Sequence, residues 1–108
     1  MRLTDGSTLT TNLDVPDVIP AIVLKAYAFE ARRKLGDALD LWKLFEVAHS
    51  LDLHPDAWPA RATTRDALKA LHTHLVPPSS LGANLARRQR WPHARIAALV
   101  KAHTPPPT

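Results

Sequence analysis

The chain has 108 residues, 45% of them apolar, with no cysteine and a formal charge of +4. That length supports at most one domain around one modest core, and the missing cysteines exclude disulfides and cysteine zinc sites. No apolar run reaches the ~20 residues of a membrane helix, and the polar residues after Met1 lack a signal-peptide layout, so a cytoplasmic protein with no membrane partner is expected.

In chain order, residues 2–15 (RLTDGSTLTTNLDV) read as a β-hairpin. Asp5-Gly6 is a two-residue turn of the kind that uses positive φ, and beyond it Leu9, Thr11, Leu13 and Val15 alternate with polar residues. A lone hairpin is marginal, so its edge is expected to pack on the helices, complete a larger sheet, or pair with a second copy as a dimer. Pro16 and Pro20 then open a helix from about Pro20 to Arg33, with Ile22, Val23, Ala26, Tyr27 and Phe29 inward. Gly36 marks a break, and Asp37 takes the N-cap position of a second helix with Asp40 in its first turn. Ala38, Leu41, Trp42, Phe45 and Ala48 follow the i, i+3, i+4, i+7 pattern of a core-facing stripe. So short a turn predicts antiparallel neighbours, an αα-hairpin.

Residues 51–62 form a proline-punctuated connection anchored by Leu53 and Trp58. Thr63-x-x-Asp66 fits a capping box for a helix to about Leu75, with Ala67, Leu68, Leu71 and Leu75 inward. Pro77-Pro78 ends it, and residues 79–90 form a further helix despite Gly82 and Asn84. Pro92 suits position N1 of a last helix to about His103, with Ile96, Leu99 and Val100 on one side. The organisation expected is a hairpin over 1–15, a helical domain over 16–104 and a disordered tail over 105–108.

The charge is uneven. Residues 1–60 hold 6 Lys/Arg against 9 Asp/Glu, and residues 61–108 hold 8 against 1. A basic half attracts nucleic acid or nucleotides, and equally serves as a solvated face. Within it, Arg87, Arg88 and Arg90 beside Trp91 are candidate nucleic-acid contacts, the guanidinium groups on phosphates and the indole on a base. Trp91 before Pro92 also suits a hydrophobic staple. Six histidines have no cysteine and no close acidic partner to complete a ligand set, so no metal site is predicted.

Lys25 is the most informative residue, a lysine in a helix otherwise nearly free of charge before Glu30. Its ammonium either snorkels to water or faces an anion such as a phosphate. Arg32, Arg33 and Lys34 can bind phosphate or complement the helix C-terminus, and Asp37 and Asp40, three apart, share a helix face.

The run AIVLKAYAFEARRKLGDALDLWKLFEVA resembles the C-terminal motif of AbiEii/AbiGii-type nucleotidyltransferases, the toxin-like branch of the polymerase-β-like superfamily. That motif is a helix with a lysine, a downstream basic residue or pair, and a charged turn into Asp-x-x-Asp-Leu. The matching positions are Lys25, Arg32 or Arg33, Asp37, Asp40 and Leu41, and the lead-in VPDVIP is similar to that of actinobacterial members. The resemblance covers roughly residues 3–51. It implies a two-lobed enzyme. An α/β lobe with Gly-Ser and Asp-x-Asp binds magnesium and a nucleoside triphosphate, and a helical lobe points its lysine at the phosphates, supported by the acidic pair, with Arg32 and Arg33 as further phosphate-binding candidates.

Here Asp5-Gly6-Ser7 is followed by no Asp-x-Asp. The fold class expected is therefore mainly α, four or five helices around the αα-hairpin, with the β-hairpin left from a larger α/β nucleotidyltransferase fold. The function expected is that of a truncated helical lobe, without catalytic residues or cofactor in isolation. Its partners would be a nucleoside triphosphate and a separate catalytic lobe or antitoxin-like protein, with tRNA carried by analogy alone. The alternative is a small helical interaction module that binds a protein or nucleic acid.

Overall fold

The computed structural model describes residues 15–105, which form five α-helices and one 3-10 turn. They are α1 (Val15–Arg32), α2 (Leu35–Ser50), the 3-10 turn Pro55–Ala57, α3 (Ala62–Leu75), α4 (Leu81–Gln89) and α5 (His93–His103). The described part of the chain is mainly α, and none of its helices is long and apolar enough to cross a membrane. The expected hairpin lies outside the described residues except for Val15, which is helical, and the tail lies outside them except for Pro105.

α1 starts five residues earlier than expected and carries Pro20 inside it. Pro20 is exposed, so the carbonyl deprived of its usual N–H partner can turn to water. Its buried face is Val18, Ile19, Ile22, Ala26 and Phe29. Tyr27, expected inward, lies outside the core and donates its hydroxyl hydrogen to the Thr63 carbonyl at 3.0 Å.

The break before α2 falls at Arg33-Lys34 and not at Gly36, because Arg33 takes the left-handed conformation (φ 54°) that ends α1. α2 consequently begins with Lys34 as its N-cap, and Asp37 sits inside the first turn instead of capping it. Ion pairs of Arg32 with Asp37 and of Lys25 with Asp40 are nested around this connection, so the two helices run antiparallel.

α1 packs on α2 and α3, and α5 packs on α2, α3 and α4. Their shared core contains Val18, Ile22, Leu41, Phe45, Leu71 and Val100, all essentially removed from water. The expected inward residues Ala67, Leu68, Leu71, Leu75, Ile96, Leu99 and Val100 are buried, as are the anchors Leu53 and Trp58, whereas Trp42 is half-buried. α3 begins at Ala62 with Arg61 as N-cap and no side-chain bond, so Thr63 and Asp66 lie within the helix and form no capping box. α4 is capped by the Ser80 hydroxyl, which accepts from the Ala83 N–H at 3.2 Å. Pro92 is the N-cap of α5, one position before that expected.

Arg95 fastens α5 to α2 through two hydrogen bonds of 2.7 Å to the Glu46 carboxylate, which also accepts from the Trp42 indole at 3.0 Å. The bond from Arg95 holds the Glu46 carboxyl below its ordinary 4.5, against the opposite push of burial. The folded protein therefore takes up a proton there less readily than the unfolded chain. This stabilisation is complete above pH 4.5 and is lost as the pH falls below it. Glu46→Gln is expected to flatten the acid limb of stability in that range, measured by urea unfolding at stepped pH. Parallel acid limbs for variant and parent would contradict this assignment.

Candidate functional site: a charged cluster on the α1–α2 hairpin

Because the two helices are antiparallel, charged residues equally far from the connection face each other. Arg32, in the last turn of α1, donates from Nε and Nη2 to the two carboxylate oxygens of Asp37 at 3.2 and 3.0 Å. About two turns further back, Lys25 Nζ lies 2.7 Å from Asp40 Oδ2 and 3.7 Å from Asp37 Oδ1. Asp37 is the hub. It is buried, its carboxylate is satisfied by two cations, and it sits at the positive end of the α2 dipole.

The cations are not fully consumed. The Lys25 side chain is 28% exposed and that of Arg32 is 54% exposed. An ammonium has three N–H donors and a guanidinium five, so both retain donors for a further anion. The acidic pair fixes where those donors are, which removes part of the ordering cost of binding. The same pairing makes the carboxylates poor metal ligands, since their lone pairs already face Lys25 and Arg32. Among the described residues no group of three or more His, Asp or Glu is placed to hold a metal ion. With both carboxylates turned to Lys25 and Arg32, the acidic pair does not fit magnesium.

The structure brings together Lys25, Arg32, Asp37 and Asp40, and leaves Arg33 out. Arg33 follows the α1 terminus in the left-handed conformation and lines a groove between α1 and α3 with Tyr27, Glu30, Lys69 and His74. Arg87, Arg88 and Arg90 are exposed on and just after α4. Arg87 is tied to the Pro78 carbonyl at 2.9 Å and to the Asn84 side chain. Trp91 is half-buried and packs on Trp42, with ring centroids 5.5 Å apart, so its face is engaged within the fold. Its backbone N–H donates to the Ala86 carbonyl at 2.8 Å while Arg90 is left-handed (φ 60°), which makes Trp91 the apolar residue closing the end of α4.

The histidines serve the fold. His74 bonds Glu30, His72 bonds Thr104, His93 bonds the Leu75 carbonyl, His49 bonds His103, and His54 accepts from the Asp56 N–H. No sequence signal identified these partners, most of which lie more than fifteen residues away along the chain. The exception is His54, whose place before Pro55-Asp56 suits the cap of a short turn. Comparison with protein-family models, curated proteins and solved structures finds no match.

Proposed function

We propose that this helical unit is the nucleotide-phosphate-facing lobe of a nucleotidyltransferase of the AbiEii/AbiGii type, without transferase activity by itself. The observation that supports it is the convergence of Lys25, Arg32, Asp37 and Asp40 in one cluster. The antiparallel hairpin brings these four positions together, and the family resemblance is what assigns them to a phosphate. In this reading Lys25 and Arg32 contact the triphosphate, while Asp37 and Asp40 are positioning residues that act through them. The 108 residues contain no Asp-x-Asp pair, so the metal-binding carboxylates must come from another polypeptide segment. No chemical step is assigned to this chain.

Two apolar residues of these helices are exposed. Leu24, next to Lys25, is 70% exposed, and Leu35 at the start of α2 is 37% exposed. Leu24 is also the observation that favours the second reading, a helical module that binds a protein partner without any nucleotide.

Calorimetric titration with magnesium–ATP, –GTP, –CTP and –UTP separates the two. The lobe reading expects measurable binding of at least one triphosphate, weakened about 10- to 100-fold by Lys25→Ala, the range for losing one hydrogen bond to a charged group. Binding of equal strength in both proteins, or none in either, rejects it.

A further inference from the structure

α1 is apolar on two sides. Opposite its buried face of Val18, Ile22 and Phe29, the residues Pro20, Leu24, Tyr27, Ala28 and Ala31 form an outward stripe along about 17 Å of helix. Leu24 is 70% exposed and Tyr27 is 39% exposed. The charges that flank the stripe are turned aside, Lys25 to Asp40 of α2 and Glu30 to His74 of α3. The outward faces of the other helices carry exposed cations, among them Lys43 on α2, Arg65 on α3, Arg87 on α4 and Lys101 on α5. Between Asp17 and Arg32, that of α1 carries none. A helix with apolar residues on opposite sides belongs inside a larger assembly.

The charges at the two ends of the stripe select a second copy of the same chain. Asp17 stands in the first turn of α1, and the run Arg32-Arg33-Lys34 stands at its end. Two copies of α1 related by a two-fold axis and running antiparallel bring the acidic end of each beside the basic end of the other, with their dipoles opposed. A parallel pair would set acid on acid and base on base.

The side chains fit the antiparallel register as well. With the axis between Lys25 and Ala26, Leu24 meets the partner's Tyr27, Pro20 meets the partner's Ala31, and Asp17 lies level with the partner's Lys34. The large residues then fill the centre, and the small ones let the backbones approach on either side. The Tyr27 ring is already held by its bond to the Thr63 carbonyl at 3.0 Å, so less freedom is lost on association.

We propose that this stripe is a homodimer interface, in which two copies of α1 pack antiparallel across Leu24 and Tyr27. One helix face is small beside the roughly 800 Å² per partner of a standard interface, so the dimer is weak and reversible, with a Kd of about 10–500 μM. Association through this stripe needs no nucleotide.

Sedimentation equilibrium of the full chain, from about 10 μM to about 1 mM, reads the association directly. The parent is expected to pass from the mass of one chain to that of two. Leu24→Asp should stay monomeric, its association weakened about 100-fold or more, because each dimer loses two leucines. Asp17→Lys and Lys34→Asp should each weaken the dimer about three- to tenfold at low salt. An equimolar mixture of those two variants should recover the parent's affinity, since only the mixed pair sets opposite charges at both ends. The proposal is overturned if the parent remains a monomer at about 1 mM, if Leu24→Asp dimerises like the parent, or if neither charge reversal weakens the dimer. A monomeric parent whose urea midpoint falls in Leu24→Asp would overturn it too, the stripe then being covered from within the chain.

Discussion

Gly82→Ala is expected to destabilise the protein by about 1–3 kcal/mol, although the same change in an unhindered helix stabilises by about 1 kcal/mol. Gly82 is buried in the first turn of α4, where that helix crosses the end of α3. A Cβ built there would lie 2.4 Å from the His74 carbonyl oxygen and 2.6 Å from Leu75 Cδ2. A leucine methyl can turn aside, but the carbonyl belongs to the last turn of α3 and moves only with the backbone. The α3–α4 junction must therefore open, loosening the bond from His93 to the Leu75 carbonyl as well. Gly36, with nothing within 4 Å of its Cβ position, provides the control, since Gly36→Ala should stabilise slightly. Urea midpoints of the two variants should move in opposite directions from the parent, and a common direction would contradict the packing described for Gly82.

Phe45→Ala is expected to cost more, about 3–5 kcal/mol. Phe45 is fully buried on α2, the helix that touches both α1 and α5. Its removal costs the transfer energy of the ring and leaves a cavity that three helices must close around. Against a total of about 5–15 kcal/mol for a domain, such a variant stands near the edge of folding at room temperature. Because Asp37 and Asp40 are carried by the same helix, the Lys25 cluster should loosen with it. Urea unfolding followed by circular dichroism checks the value, and a cost below about 1 kcal/mol would mean that Phe45 is not at the centre of the core.

The sequence reveals the helices and most of the core, because periodicity records burial directly. Leu41, Phe45, Leu68, Leu71, Leu99 and Val100 occupy the buried positions their spacing predicts. Helix ends are less legible. Glycine is the usual left-handed residue after a helix, yet here Arg33, Asp52 and Arg90 take that conformation, at φ 54°, 54° and 60°. Gly36 consequently drew the break three residues too late, and Asp37 was displaced from cap to hub. Pro20 misled in a different way, since an exposed helix face tolerates the bond that proline removes. Within the cluster, the family resemblance implies a lysine, a basic residue and the acidic pair, and the left-handed conformation of Arg33 is what separates it from Arg32. The contacts of His72, His74, His93 and His103 join distant segments and leave no local pattern to read.

The most direct test of the phosphate-facing lobe is a map of side-chain and amide shifts in ¹H–¹⁵N spectra as magnesium–triphosphate is added to the ¹⁵N-labelled chain. The account predicts saturable changes centred on Lys25, Arg32 Nε–H, Asp37 and Asp40, absent from Lys25→Ala. Changes centred instead on Arg87, Arg88 and Arg90, or no change at saturating nucleotide, would contradict it.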